Sequence, residues 1–241
     1  GVSRRYVAGN NIERAVTVMK RLSSEGACFT VDVLGEEISS IEESQFFVEE
    51  YNRVLQAIVD NELDANISIK PTAFGLLIDA EKAHDNIEAL LRNAAKHEIF
   101  VRLDMEDHRV TEPTIEILLK MHEKGLTNIG VVLQSRLFRT KSDIEKISKI
   151  LGGDADFRIC KGIYLESEEI AETEYRPIVD TMNTDIDLML DCGAYTAIAS
   201  HDLPVIEYAL AALDKRAMGP GLPDPRPNAA AQRHAKGPGY E

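Results

Sequence analysis

The 241-residue chain is poor in cysteine and in basic residues. Its three cysteines, Cys28, Cys160 and Cys192, are far apart and odd in number, so neither a disulfide framework nor a cysteine-based metal site is expected. Lysine and arginine number 27 against 41 acidic residues. The resulting formal charge of -14 would repel the phosphate backbone of a nucleic acid, which is therefore not expected as a partner.

Long apolar runs are also missing. No run approaches the roughly 20 residues of a membrane span, and the first residues lack the charged-then-apolar layout of a signal peptide. We therefore expect a cytoplasmic protein with at most peripheral contact with the inner membrane. The dinucleotide fingerprint G-x-G-x-x-G does not follow any expected strand, so a classical dinucleotide-binding fold is not supported.

The chain does have six short apolar runs that alternate with amphipathic helical patterns. Such alternation is typical of parallel strands joined by crossover helices, and the length suits a single β/α-barrel domain. The expected strands are 28–34, 66–70, 99–105, 128–134, 156–161 and 195–200. One further helix is expected before the first strand, from the spacing of Ile12, Ala15, Val16, Met19 and Leu22.

Helix-start signals and a late composition change mark the other boundaries. Capping-box spacing at Ser40 and at Ser142, and Asp202 before Leu203-Pro204, predict helix starts, and an apolar stripe that includes Phe46 follows Ser40. Residues 219–239 hold five prolines and four glycines. We expect residues 1–213 to form the barrel with its N-terminal helix and residues 214–241 to form a Pro/Gly-rich loop that leads to further units.

Charged and polar residues occur where a barrel of this type would build its site. Lys70, Asp104, Glu106 and Gln134 fall at the carboxyl ends of their strands, on the faces opposite the apolar residues. Buried unpaired charges are costly, so these side chains should pair with one another or with a ligand. The alternative without a ligand is an internal salt-bridge network among Lys70, Arg102, Asp104, Glu106 and Arg158.

Two other chemistries fit parts of this pattern. Asp104, Glu106 and His108 alternate at a spacing that suits metal ligands, but His108 lies beyond the strand and no second ligand cluster accompanies it, so no metal is expected. Lys70 or Lys161 could serve as the Schiff-base lysine of an aldolase or lyase.

Seven segments in order resemble the proline dehydrogenase family, whose members are flavoenzymes on a distorted β/α barrel. They are RRYVAG (4–9), TVDVLGE (30–36), ISIKPTAFGL (67–76), VRLDMED (101–107), VVLQSRLFRT (131–140), FRICKGIYLES (157–167) and AIASHD (197–202). The resemblance implies an incomplete, TIM-like (β/α) barrel with about six of eight strand-helix units.

The same resemblance implies site residues by matching positions. Asp104 and Arg158 are implied as active-site residues and Lys70 as the residue at the proline carboxylate. The implied FAD contacts are Met105, Gln134, Lys161, Gly162, Ile163, Ser200 and His201. A guanidinium and an amide directed at a flavin stabilise the negative charge that arrives with a hydride, so Arg158 and Gln134 are suitable types.

The resemblance implies oxidation of L-proline, with hydroxyproline as an alternative substrate, to pyrroline-5-carboxylate by FAD and then a quinone. Family members continue with two more units that carry paired arginines for the carboxylate, so we expect the 241-residue polypeptide to be weakly active or inactive. The alternatives are the Schiff-base enzyme and a non-catalytic barrel-like binding domain.

Overall fold

The structure, a computed structural model, describes residues 11–26, 29–35 and 37–217. Within these residues, six strands alternate with seven α-helices. The strands are β1 (Phe29–Asp32), β2 (Ala65–Ile69), β3 (Val101–Leu103), β4 (Ile129–Gln134), β5 (Asp156–Cys160) and β6 (Tyr195–Ile198). The helices are α1 (Ile12–Ser24), α2 (Ser44–Asp60), α3 (Ala80–Ala95), α4 (Thr111–Glu123), α5 (Thr140–Leu151), α6 (Tyr175–Asp191) and α7 (Leu203–Lys215). The expected strands and the expected N-terminal helix are confirmed.

The order of the strands in the sheet is their order in the chain, β1 to β6. The pairings of β1 with β2, of β4 with β5 and of β5 with β6 are parallel. Parallel neighbours need a long crossover, which the intervening helices supply. The described residues form two compact units, the first comprising those up to Val101 and the second those from Arg102.

In the first unit, α2 buries one face and exposes the other. Its buried residues are Ser44, Phe47, Tyr51, Val54, Leu55 and Ile58, and the large apolar side chains among them form the core face. They recur every three or four positions, as the 3.6-residue turn of a helix requires, and burying each such side chain contributes about 1.5–3 kcal/mol. Phe46 was expected to belong to this stripe, but it is 57% exposed because it lies one residue from the buried face.

In the second unit, every residue of β4 is buried. The parallel register places Val132 opposite Arg158 and Gln134 opposite Cys160. Residues opposite each other in a sheet share a face, so the expected division of these strands into an apolar and a polar-containing face agrees with the register. Arg102 is 1% exposed. Its guanidinium lies 2.5 Å from the carboxylate of Asp156, so this buried charge is paired.

Helix α6 carries an acidic residue at a buried position. Asp185 is 1% exposed. Burial raises the pKa of the Asp185 carboxyl from 3.8 to about 6, and a hydrogen bond from Ser135 offsets part of this rise. The buried surroundings of Asp185 disfavour the charged form of its carboxyl group.

The helix-start predictions are only partly correct. Helix α5 begins at Thr140, and the Ser142 hydroxyl donates to the carbonyl of Arg139 inside the helix, so the expected cap at Ser142 is wrong. Ser40 precedes a short 3₁₀ helix, Ile41–Glu43, without a side-chain cap bond. Asp202 does precede α7, but its carboxylate does not bond to the helix amides. The carboxylate of Asp202 bonds to Lys161 and Tyr175 instead.

Helix α7 ends at Lys215, slightly beyond the expected boundary at residue 213. The Pro/Gly-rich segment 219–239 lies outside the described residues. Among the helices that the structure describes, none is both long and apolar enough to cross a lipid bilayer.

Candidate functional site

A cavity of about 590 Å³ lies in the second unit, at the carboxyl ends of β4, β5 and β6. Its lining residues are Met105, Gln134, Cys160, Lys161, Gly162, Ile163, Tyr175, Ala199, Ser200, His201 and Asp202. All seven residues that the family resemblance implied as FAD contacts are among them. Carboxyl ends of parallel strands are where β/α folds place their ligands, so this cavity is the candidate site.

Gln134 forms part of the cavity and is held firmly. It is 2% exposed, and its side-chain amide donates to the carbonyl of Glu106 over 2.7 Å. Its neighbour in the register, Cys160, is a free thiol whose pKa is raised to about 11 by burial. A thiol with such a pKa stays protonated at neutral pH, so Cys160 is not a nucleophile.

Gly162 follows β5 at a point where no side chain fits. Its φ is +98°, a conformation that residues with a side chain rarely adopt. A Cβ there would lie 2.7 Å from Oε1 of Gln134 and 2.8 Å from Cδ of Arg136. The backbone of Gly162 therefore packs directly against the side chains of Gln134 and Arg136, and a larger residue at this position would push the cavity wall out of place.

Lys161, Tyr175 and Asp202 form a polar cluster on the cavity wall. The Asp202 carboxylate lies 2.9 Å from Nζ of Lys161 and accepts a 2.7 Å hydrogen bond from the hydroxyl of Tyr175. Nζ of Lys161 lies 5.1 Å from the centre of the Tyr175 ring. The Lys161 hydrogen bond, followed by that of Tyr175, lowers the pKa of Asp202. The bond to Asp202 raises the pKa of the Tyr175 phenol.

The strand-end residues of β6 lie in the same cavity. The Ser200 hydroxyl accepts a hydrogen bond from the amide of Asp202 over 3.1 Å. His201 is exposed. Sequence patterns marked Ser200 and His201 but assigned Asp202 only to a helix cap. Its role in the cluster depends on Lys161 and Tyr175, which are remote from it in the chain.

Arg158 and Asp104 lie close enough to interact, although neither is among the cavity-lining residues. Burial and then the charge of Arg102 lower the pKa of Arg158, while Asp104 and Asp156 act in the opposite direction. Arg158 lies two residues before Cys160 on the same face of β5. A guanidinium removed from water in this way interacts strongly with any further anion.

His108, considered above as a metal ligand, has a different partner. Its ring Nδ1 lies 2.6 Å from the carboxylate of Glu166, which also accepts the backbone amide of His108 over 2.9 Å. Over the described ranges, no three histidine, cysteine or acidic side chains are grouped as metal ligands would be.

Lys70 lies in the first unit, at the end of β2. Its Nζ is 2.9 Å from the carboxylate of Asp32, at the end of β1. The hydroxyl of Tyr51 lies 2.9 Å from that carboxylate and 2.7 Å from the carbonyl of Ser68. Asp32 is a partner that the sequence patterns did not identify, because only the parallel pairing of β1 with β2 brings it beside Lys70.

Replacing Tyr51 with phenylalanine is expected to lower the free energy of unfolding by about 1–2 kcal/mol, because buried partners of the hydroxyl lose their hydrogen bonds. Urea unfolding monitored by circular dichroism measures the change. Replacing the exposed Phe46 with leucine on the same helix is the control and should have little effect. Equal stability of the Tyr51 variant and the parent would contradict the hydrogen-bonding role.

Comparison with known proteins places the chain in a family. It matches the family described as proline dehydrogenase over residues 15–218. It is 35% identical to proline dehydrogenase 1 of Bacillus subtilis subsp. natto over 206 residues, which are 86% of this chain and 67% of that protein. It is 28% identical to the proline dehydrogenase of Deinococcus radiodurans over 211 residues, covering 86% and 67% of the two chains.

A solved structure agrees in fold. Proline utilization A (PutA) from Bdellovibrio bacteriovorus, inactivated by N-propargylglycine, matches with a TM-score of 0.81 at 19% identity, over 89% of this chain and 27% of that one. The fold class is thus a TIM-like α/β barrel of the proline dehydrogenase type, to which the residues that the structure describes contribute six strands. The chain spans about two-thirds of the length of the curated relatives. Because the match at residues 15–218 covers most of the sequence, the chain belongs to the proline dehydrogenase family.

Proposed function

We propose that the protein oxidises L-proline to pyrroline-5-carboxylate with FAD as cofactor. The observation that carries the proposal is the convergence of seven implied FAD contacts on one cavity in a chain of this family. FAD, when bound, would supply the acceptor for a hydride from the proline carbon next to the ring nitrogen, and the proton lost by that nitrogen would pass to solvent. A quinone then takes the two electrons.

The cavity residues suit such a cofactor. Gly162 lets the wall pack closely against Gln134 and Arg136, and Lys161 beside it supplies a positive charge at the cavity. Gln134 offers an amide held by Glu106, and Ser200 offers a hydroxyl. Met105, Ile163 and His201 also line the cavity.

We assign the chemistry to Arg158 and Asp104 and the binding of the proline carboxylate to Lys70. The partly buried guanidinium of Arg158 would stabilise the negative charge that the hydride brings to the acceptor, FAD when bound. Asp104 stabilises that guanidinium in its charged form. Lys70 carries a compact charge suited to a small carboxylate, and Asp32 orients it.

The Schiff-base alternative has less support. A lysine attacks a carbonyl only in its neutral form. Lys70 and Lys161 each lie 2.9 Å from a carboxylate, and these ion pairs occupy the two amino groups. We place the protein in the cytoplasm, with the quinone reached at a membrane surface.

The test is optical. The purified protein should be yellow, and anaerobic addition of L-proline should bleach its flavin absorbance. A colourless protein that binds no added FAD would contradict the proposal. The same measurement on a C-terminally extended chain tests the expectation that the 241-residue polypeptide turns over slowly, and equal rates for the two would refute that expectation.

Replacing Lys161 with methionine is expected to weaken FAD binding about tenfold at low ionic strength, because a charge-assisted contact with the cofactor is lost. Fluorescence titration of FAD measures the affinity, and the difference should shrink as salt is added. Lys149→Met, on an exposed turn of α5, removes the same charge away from the cavity and is the control. Equal affinity of both variants would remove Lys161 from the site.

A further inference from the structure

A loop of the second unit, residues 161–172, leaves the end of β5 and returns beside the residues that follow β4. Its returning part runs antiparallel to them, with an isolated bridge between Leu137 and Ala171. The amide of Glu172 donates to the carbonyl of Arg136 over 2.7 Å, and the amide of Phe138 donates to the carbonyl of Ile170 over 3.0 Å. The outgoing part carries three residues of the cavity wall, Lys161, Gly162 and Ile163.

Arg136 joins the two parts of this loop. Its Nη1 donates to the carbonyl of Tyr164 over 2.5 Å, on the outgoing part. Its Nε donates to the carbonyl of Glu172 over 3.3 Å, on the returning part. Its own amide donates to the carbonyl of Lys161 over 3.1 Å. At 9% exposure the side chain is buried, so one residue closes the base of the loop from within.

The stem of Arg136 also supports the cavity wall. A Cβ on Gly162 would lie 2.8 Å from Cδ and 3.0 Å from Cγ of Arg136, so the glycine backbone lies directly against that stem. Gln134, two residues before Arg136, lines the same cavity. The position of the wall at residues 161–163 is therefore tied to the position of Arg136.

We propose that Arg136 is a positioning residue that holds residues 161–164 in place, so that residues 161–163 form the wall of the FAD cavity. The inference rests on the proposed function for the identity of the bound molecule. An arginine suits this role because its planar guanidinium presents several fixed N–H donors and can serve two carbonyls at once. A lysine ammonium at the same place carries the charge but lacks that planar fork. Geometry, and not charge, is what the residue contributes.

The first test needs no cofactor. Residues 166, 168, 169 and 172 are glutamates, so cleavage by a glutamyl endopeptidase reports how often the loop opens. In the intact protein without FAD, Arg136→Met is expected to speed cleavage within 166–172 about tenfold, because hydrogen bonds to two carbonyls are lost. Mass spectrometry of the fragments locates the cuts. Arg136→Lys should be cleaved nearly as fast as Arg136→Met.

Arg139→Met is the matched control. Arg139 is a nearby arginine whose guanidinium pairs with Asp143 and Glu112 and has no bond to the loop. Its replacement should leave the cleavage rate of the loop unchanged while lowering the melting temperature. Equal cleavage of the Arg136→Met and Arg139→Met proteins would overturn the proposal, as would full protection by lysine at position 136.

The second test measures the release of FAD after dilution. Release from Arg136→Met is expected to be about tenfold faster than from the parent, and the visible circular dichroism of the bound flavin should change. Unchanged release and spectrum would overturn the role toward the cofactor. If neither the parent nor any variant binds FAD, the proposed function fails, and the positioning role toward the cofactor fails with it. The cleavage experiment still decides whether Arg136 holds the loop.

Discussion

Replacing Asp185 with asparagine is expected to stabilise the protein by up to about 3 kcal/mol at pH 7. Asp185 is buried on α6, and its pKa is raised from 3.8 to about 6 in the folded state. The folded protein therefore prefers the neutral acid. Below pH 3.8 Asp185 is neutral in both states and does not lower the free energy of unfolding. Between pH 3.8 and about 6 the free energy of unfolding falls, because the carboxyl ionises freely in the unfolded chain but is buried in the folded one. Asparagine keeps the shape of the neutral acid.

Urea unfolding at several pH values tests this expectation. The advantage of the asparagine variant should fall to about 1 kcal/mol at pH 4.5 and should be nearly constant above pH 7. Asp180→Asn, at an exposed position of the same helix, should show no such dependence. An asparagine variant that is no more stable than the parent at pH 7 would mean that the Asp185 carboxylate has better partners than burial suggests.

Replacing Gly162 with alanine is expected to weaken FAD binding by about a hundredfold or more. The φ of +98° is strained for alanine, and the new methyl group would meet Oε1 of Gln134 and Cδ of Arg136. Neither neighbour can move cheaply, because Gln134 is bonded to Glu106 and Arg136 to two carbonyls of the loop. The wall itself must shift, and the contact surface for the cofactor shifts with it.

Fluorescence titration with FAD measures this loss. Gly153→Ala is the matched control, since Gly153 has no atom within 4 Å of its would-be Cβ and no positive φ. The control should bind FAD as the parent does. Unimpaired binding by the Gly162 variant would show that the cofactor does not use this stretch of backbone.

The strands could be predicted from the sequence because each coincides with a short apolar run, a pattern that is visible in the local sequence. β4, the clearest case, is buried at every residue. The cap at Ser142 could not, since the start of α5 is set by Thr140, a buried residue whose hydroxyl bonds to the carbonyl of Gln134. That contact is tertiary, and no capping pattern contains it.

In the candidate site, too, some residues could be predicted from the sequence and others could not. Lys161 and Gly162 belong to one continuous segment that resembles the family, so their presence in one cavity with Gln134 could be expected. Asp202 and Arg136 act on residues far from them in the chain, and their roles appear only when side chains from separate segments are placed together. Partners of this kind were the residues that sequence patterns missed.

The raised pKa of the Cys160 thiol also affects how readily this residue is oxidised. Reduced flavins that meet oxygen release peroxide, which attacks cysteine only as the thiolate. With a pKa of about 11, Cys160 at pH 7 is ionised in only about one molecule in ten thousand. In the proposed flavin-bound protein, this protonated thiol in the cavity wall is therefore a poor target for peroxide.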